Sequence, residues 1–141
     1  MRRQPSFTRA DRLEHLMLTE VEALLAYEVR NHIARLVKPV MAKLSPDLGH
    51  LRVNYVMLDG SEAGAAVEAA MDGSAGFVAR ALTESLQLRK KPQVVFAFDR
   101  DAMLAQRAQA LLAAERAQHA AAHAETADAA ATQDAEPPHG T

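Results

Sequence analysis

The sequence of 141 residues contains no cysteine and no tryptophan, and its aromatic residues are four phenylalanines and two tyrosines. Without cysteine, neither a disulfide framework nor a thiolate metal site can form, and this composition is compatible with a reducing compartment. No uninterrupted apolar run approaches the roughly 20 residues of a membrane-spanning helix. The basic N-terminal segment, residues 1–8, is followed by no apolar stretch of the kind that signal peptides contain. We therefore expect a cytoplasmic chain without membrane contact.

The chain also lacks the large positive charge that is typical of strong nucleic-acid binders, because its formal net charge is −2. The charges are unevenly distributed. Residues 1–100 contain 14 Lys and Arg against 12 Asp and Glu, whereas residues 101–141 contain 2 basic and 6 acidic residues. A mildly basic body with an acidic extension can bind RNA through a local patch, although the sequence contains no polybasic arm.

Length and composition predict a single domain with an extension at each end. We assign residues 9–100 to the domain and residues 1–8 to a basic N-terminal segment. Residues 101–141 are expected to form an alanine-rich helix and then an acidic tail that is disordered from about residue 125, because large apolar side chains become scarce there. The tail either contacts a partner or is dispensable.

The first half of the domain is predicted to form a helix followed by a β-hairpin. Thr8 and Asp11 have the spacing of a capping box at the start of an apolar stripe with helical spacing. Pro39 has no N–H to donate, so its strand is expected at a sheet edge or at a bulge. The predicted elements are a helix over residues 9–31, a strand over 36–44, a turn over 45–49 that Gly49 closes, and an alternating strand over 50–58.

The second half is organised around the stretch Gly73-Ser74-Ala75-Gly76. Each glycine costs a helix interior about 1 kcal/mol relative to alanine. We therefore predict two helices that meet at a bend, the first beginning near Glu62 after a cap at Asp59-Gly60-Ser61. Unpaired N–H groups at the start of the second helix would attract a phosphate group, although Asp72 would repel it. A third strand is predicted over residues 94–98.

Three stretches of this sequence are familiar in their order and spacing: Ser45-Pro46-Asp47-Leu48 before an alternating strand, Ala75-Gly76-Phe77-Val78, and Leu88-Arg89-Lys90-Lys91-Pro92 before the last strand. Through them the chain resembles the ribosome-binding factor A family of bacterial assembly factors for the small ribosomal subunit. The resemblance covers about residues 9–100. The combination of the three stretches is more specific for the family than any single stretch.

The resemblance implies an α+β fold of the type II KH-like class, with the order α-β-β-α-kink-α-β and a three-stranded mixed sheet packed on helices. It also implies a function without catalysis, in which the protein binds the immature small ribosomal subunit and its ribosomal RNA and aids late maturation and rRNA end processing. Cold adaptation is a familiar role of the family. The family usually has alanine where this sequence has Ser74, and arginine where it has Ala79, with Arg80 next.

The candidate contacts to the RNA backbone are the residues of the bend and the nearby cations. A lone arginine lies on a solvated surface as often as it binds RNA, whereas three consecutive cations favour RNA binding. The predicted RNA-binding residues are Ser74, Ala75, Gly76, Arg80, Arg89, Lys90 and Lys91, with Arg9 and Arg12 as a second cluster.

Other functions find less support in the sequence. No residue spacing indicates catalysis or a cofactor, and although His119 and His123 lie one helical turn apart, no carboxylate or thiol completes a metal site. Tyr55 and Phe77 are expected in the core instead of stacking on bases. The alternative function is a KH-like protein-interaction module with little RNA affinity, favoured by the negative net charge and by Asp72. In either case we expect a monomer.

Overall fold

The computed structural model describes residues 8–135, with side chains through residue 124. Residues 1–7 of the predicted basic segment and residues 136–141 of the predicted acidic tail lie outside the described residues. The chain divides into two compact units, with the division between Leu104 and Ala105. The first unit contains the whole sheet.

The first unit consists of helices packed on a small sheet. The elements of the described chain are, in order, α1 (Arg9–Ala23), a π-helical turn (Leu24–Glu28), a 3-10 turn (His32–Leu36), β1 (Val37–Leu44), β2 (His50–Met57), α2 (Ala65–Ser85), β3 (Gln93–Phe98) and α3 (Arg100–Ala135). Helix α3 begins in the first unit and continues into the second. The sheet order is β1-β2-β3, with β1 antiparallel and β3 parallel to β2. This confirms the predicted α+β class with a three-stranded mixed sheet.

One face of the sheet carries the core. The alternation predicted for β2 is confirmed over residues 51–55, since Leu51, Val53 and Tyr55 are buried whereas Arg52 is exposed. It was wrong at the end of the strand, where Val56 is buried as well. The Tyr55 ring also packs on that of Phe98, with ring centroids 5.9 Å apart. The helices and the π-helical turn cover this face with the side chains of Met17, Val21, Leu24, Leu25, Met71, Val78, Ala79 and Leu82.

Helix α1 begins where the sequence predicts and ends earlier. The Asp11 N–H donates to Thr8 Oγ1 over 3.1 Å, and the Thr8 N–H donates to Asp11 Oδ2 over 3.0 Å, which confirms the capping box. The predicted continuation of the helix to residue 31 was wrong, because a π-helical turn starts at Leu24. The N–H of Val29 donates to the carbonyl of Leu24 over 2.9 Å and closes this wider turn, whose Leu24 and Leu25 side chains are buried.

Strand β1 is an edge strand with an irregularity at its proline. Its register with β2 shifts between Pro39 and Met41, which confirms the expected edge position and bulge. Pro39 cannot donate to a strand ladder, and a bulge at the edge accommodates the missing donor.

The turn between β1 and β2 is fixed by side-chain hydrogen bonds. The Asp47 Oδ1 atom accepts from the Ser45 hydroxyl over 2.7 Å and from the Gly49 N–H over 3.0 Å. The N–H of Leu48 donates to the carbonyl of Ser45 over 2.9 Å. The sequence predicts that Gly49 closes the reversal, but it is Leu48 that adopts the left-handed conformation, with a φ of 62°.

Helix α2 begins later than predicted. The Asp59 Oδ1 atom accepts from the N–H of Ser61 over 2.9 Å and from its hydroxyl over 2.6 Å. These side chains therefore close a turn of their own and are not available as a helix cap. The start predicted near Glu62 was wrong, since the helix begins at Ala65 after Gly64, which provides no side-chain cap.

Helix α2 continues through both glycines. The two helices expected to meet at a bend form one helix of 21 residues. Met71 and Val78, on either side of the glycines, are fully buried. Burying one such side chain stabilises by roughly 1.5–3 kcal/mol, which exceeds the roughly 1 kcal/mol that each glycine costs. The Ser74 hydroxyl donates to the carbonyl of Ala70 over 2.8 Å, a contact that slightly bends helices without breaking them.

Helix α2 ends in a Schellman motif that has glutamine where glycine is usual. The N–H of Leu88 donates to the carbonyl of Thr83 over 3.0 Å. Between them, Gln87 has a φ of 52°, in the left-handed region. A side chain with a Cβ atom is disfavoured in that conformation.

Replacing this residue, Gln87→Gly, should raise the free energy of unfolding by about 0.5–1 kcal/mol, because glycine adopts a positive φ without steric repulsion. Equilibrium urea unfolding measures the gain. The control Gln87→Ala keeps the Cβ atom and should give no gain. An equal gain from alanine would show that the backbone conformation is not the cause.

Helix α3 is longer than the sequence predicts. It begins after Asp99, whose Oδ1 accepts from the N–H of Ala102 over 2.9 Å, and Met103 in the first unit is fully buried. The helix extends to Ala135, beyond residue 125 where disorder was expected. In the second unit, every residue from 107 to 124 is exposed, so this part of the helix lacks a core of its own.

Candidate functional site

The loop between α2 and β3 carries the consecutive cations Arg89-Lys90-Lys91, all of which are exposed. Pro92, the next residue, is buried and anchors the loop. The N–H of Gln93 then donates to the carbonyl of Gly49 over 2.8 Å. This hydrogen bond places the three cations beside the turn between β1 and β2, at one end of the sheet.

Lys90 reaches the turn itself. Its Nζ atom lies 3.3 Å from the position that a Cβ atom on Gly49 would occupy, and both carboxylate oxygens of Asp47 lie 3.3 Å from the same position. The pKa of Asp47 is below its ordinary value, because its carboxylate accepts hydrogen bonds from the Ser45 hydroxyl and the Gly49 N–H, and the positive charge of Lys90 lowers it further. Lys90 is therefore part of the turn as well as of the surface.

Arg9 and Arg12 are exposed in the first turns of α1. Between them in sequence, Asp11 has a pKa below its ordinary value, because its carboxylate interacts by hydrogen bonds with the N–H and the hydroxyl of Thr8. The positive charge of Lys43 lowers this pKa by a smaller amount. Helix α1 packs beside β1, and Lys43 near the end of β1 is close enough to Asp11 for its charge to act on that carboxylate. The second predicted cluster thus lies at the same end of the sheet as the loop cations.

Two further cations at this end were not predicted as binding residues. Lys43 on β1 and Arg52 on β2 are register partners, and both are exposed on the face of the sheet opposite the core. The period-two alternation of the hairpin is the sequence signal that could have paired them. We name the combined surface the basic end; its residues are Arg9, Arg12, Lys43, Arg52, Arg89, Lys90 and Lys91.

A cleft of about 360 Å³ lies between α2 and the start of β3. Ala75 and Gly76 line one wall, and Lys91 lines the other. A guanidinium nitrogen of Arg80 lies 3.9 Å from the position that a Cβ atom on Gly76 would occupy. The structure therefore brings four of the predicted residues together around a wall without bulky side chains, which allows a close approach to the helix backbone.

Ser74 faces away from this cleft. It is only 5% exposed and lines a second cavity of about 370 Å³, together with Gly73, Phe77 and the segment 28–31. Because α2 is continuous, the N–H groups of residues 74–76 lie inside a helix, and the expected helix N-terminus with unpaired amides at these residues was wrong. Phe77, which was expected in the core, is 36% exposed.

The described residues contain neither a metal cluster nor a membrane-spanning helix. Among them, no group of three or more His, Asp or Glu side chains is arranged to hold a metal ion. The rings of His119 and His123 do lie close together, with centroids 4.9 Å apart. No helix in the described part of the chain is both long and apolar enough to cross a membrane.

Comparison with known proteins places this chain in a family. The family model described as Ribosome-binding factor A matches residues 9–112. The chain belongs to the ribosome-binding factor A family. Ribosome-binding factor A of Thermosynechococcus vestitus is 33% identical over 106 residues, which cover 74% of this chain and 84% of that protein. Ribosome-binding factor A of Thermomicrobium roseum is 36% identical over 98 residues, which cover 68% and 74%.

The family fold has also been seen in a crystal. The crystal structure of ribosome-binding factor A from Thermus thermophilus matches with a TM-score of 0.55 and 16% sequence identity, covering 64% of this chain and 96% of that one. This likeness shows that the two chains share a fold and confirms the KH-like class. The family match to residue 112 also extends into α3, beyond the sheet and its helices.

Proposed function

We propose that this member of the ribosome-binding factor A family binds the immature small ribosomal subunit by contacting the backbone of its ribosomal RNA. In this role it acts in the cytoplasm as an assembly factor that aids late maturation and rRNA end processing, without catalysis and without a cofactor. The observation that carries the proposal is the basic end, where cations from α1, the hairpin and the loop before β3 gather at one end of the sheet.

The negative net charge of the chain does not oppose this proposal. Charges separated by more than about 8 Å are largely screened at physiological salt, so the local balance governs contact with a phosphate group. Asp11 and Asp47 lie among the cations of the basic end, Asp11 between Arg9 and Arg12 in sequence and Asp47 beside Lys90. Both carboxylates already accept hydrogen bonds within their own turns. The basic end is therefore positive although the chain as a whole is not.

The cleft between α2 and β3 extends the proposed surface. A phosphate group near Gly76 would meet only the small side chains of alanines on that wall and would lie within reach of the guanidinium of Arg80 and the ammonium of Lys91. Ser74 supports this surface from inside the fold, since its hydroxyl donates a hydrogen bond to the carbonyl of Ala70 within the same helix. We thus assign backbone contact to Ala75, Gly76 and the cations, and a supporting position to Ser74.

Sedimentation of a cell lysate tests the proposal. On a sucrose gradient, the protein should co-migrate with free small subunits and be absent from translating ribosomes. Its association should weaken steeply as salt rises, because phosphate contacts release counterions. A protein that stays at the top of the gradient at every salt concentration, including the lowest, would contradict the proposed function.

A second candidate function is a protein-interaction module with little RNA affinity. The opposite end of the sheet favours it, because Leu36 and Leu58 are 51% and 56% exposed there and are joined by a 2.9 Å hydrogen bond from the N–H of Leu58 to the carbonyl of Leu36. Adjacent exposed apolar side chains are a feature of protein contacts. Association that is insensitive to salt but is lost in a Leu36→Ser, Leu58→Ser variant would favour this candidate.

A further inference from the structure

The turn between β1 and β2 presents one large apolar side chain within the basic end. Leu48 is 47% exposed and precedes Gly49, which the ammonium group of Lys90 approaches closely. A single exposed leucine is common on protein surfaces. Two other observations set this leucine apart: the conformation of its backbone and the hydrogen bonds that hold it.

The backbone of Leu48 has a φ of 62°, in the left-handed region that glycine and asparagine adopt far more readily than leucine does. Glycine or asparagine would therefore suit the turn better, and the turn itself does not require an apolar side chain. Residues that are held in disfavoured conformations recur at ligand contacts. A leucine at this position is therefore better explained by a ligand that its side chain contacts than by the conformation of the turn.

The turn holds this conformation through hydrogen bonds on both sides of Leu48. Asp47 accepts from the Ser45 hydroxyl and from the Gly49 N–H, at 2.7 and 3.0 Å. The Ser45 hydroxyl oxygen in turn accepts from the N–H of His50 over 2.9 Å. A turn whose backbone is already fixed loses little conformational freedom when it binds a partner.

The charges around the turn indicate which partner fits. Lys90 and His50 are close enough to Asp47 to lower the pKa of its carboxyl group, and Lys43 lies one residue before the end of β1. An apolar side chain on a turn that an ammonium group approaches suits a polyanion that also has apolar surfaces. An unpaired stretch of RNA has both, in its phosphate groups and in the faces of its bases.

We propose that Leu48 is an apolar contact of the basic end for unpaired bases of ribosomal RNA, while the surrounding cations contact the phosphate groups. The inference rests on the proposed function and adds a contact that is not electrostatic. Apolar side chains, leucine among them, pack against or between bases in other nucleic-acid complexes. Such a contact releases no counterions, so it contributes affinity without adding to the salt dependence.

Replacing the side chain while keeping the turn tests this proposal. Leu48→Asn suits the left-handed backbone and should raise the stability of the fold, yet it should weaken binding to purified small subunits by about five- to tenfold with an unchanged salt slope. Leu48→Met keeps an apolar side chain and should bind about as well as the unchanged protein. Unchanged affinity of the asparagine variant, or a weaker salt slope, would overturn the proposal.

A photocrosslinking residue distinguishes RNA from a ribosomal protein. With benzoylphenylalanine in place of Leu48, irradiation of the complex with small subunits should crosslink the protein to ribosomal RNA, and crosslinks only to ribosomal protein would overturn the assignment. The unchanged protein serves as the reference in the same assays. If it fails to bind subunits at all, the proposed function fails. If it binds and the Leu48 variants bind equally well, only the present inference fails.

Discussion

A double variant, Arg89→Glu with Lys91→Glu, should lose its association with small ribosomal subunits while its fold stays intact. Two attractive contacts with phosphate groups become repulsive, so we expect affinity at low salt to fall by roughly two orders of magnitude, and the slope of log affinity against log salt to fall by about 2. Binding titrations with purified small subunits at several salt concentrations measure both quantities. Circular dichroism checks the fold.

The choice of residues in this variant follows from the structure. Lys90 is left unchanged because its ammonium group packs against the turn beside Asp47, so its replacement would disturb the turn as well as the surface. The matched control is Arg30→Glu with Lys38→Glu, which changes the net charge equally. Lys38 pairs with Val56, away from the turn, and Arg30 follows the π-helical turn. Equal losses in the two variants would show that net charge alone, and not the basic end, governs binding.

Truncating a core side chain of α2, Leu82→Ala, should lower the free energy of unfolding by about 2–5 kcal/mol. Leu82 is fully buried and belongs to the cluster that joins α2 to the sheet. The cost combines the lost transfer of apolar surface from water with the cavity that remains. Because a domain of this size is stable by roughly 5–15 kcal/mol, the variant should unfold at a markedly lower urea concentration.

The exposed part of α3 provides the control for this core variant. Leu111→Ala removes the same atoms from a side chain that is 65% exposed, and the free energy of unfolding should change by less than about 0.5 kcal/mol. A loss as large as that of Leu82→Ala would show that Leu111 is buried in solution. It would then contradict the description of the second unit as a helix without a core of its own.

The hairpin, its edge proline and the capping box of α1 could be predicted because each depends on residues that are close in sequence. Thr8 and Asp11 lie within one helical turn of each other, so their side chains can bond across it. Pro39 has no backbone N–H to donate, whatever the position of its strand in the sheet. The period of two along β2 separated the buried Tyr55 from the exposed Arg52 for the same reason. The family resemblance supplied the order of the elements.

The course of α2 could not be predicted in this way, because contacts distant in sequence determine it. The local preference of Gly73 and Gly76 favours a break, but Met71 and Val78 pack on the sheet and hold the two halves in one helix. Similarly, Asp59 can cap a helix or close a turn, and the sequence does not state which. The structure shows its carboxylate bonded to Ser61.

The candidate site was predicted in part. The cations of the loop before β3 and those of α1 were identified from charge alone, but their shared position needs the fold, since the turn at Gly49 and the strand pairing bring them to one end. Lys43 and Arg52 were missed because single cations on alternating strands give no signal until the strands are paired. Which of these residues contact RNA stays a prediction.

The irregular edge of β1 has a consequence for the chain at high concentration. An open strand edge with a regular row of donors and acceptors can template pairing with a second copy and begin aggregation. At Pro39 one donor is missing, and the bulge that follows shifts the spacing of the remaining groups. Strand-to-strand addition of another copy along the edge of β1 is therefore disfavoured.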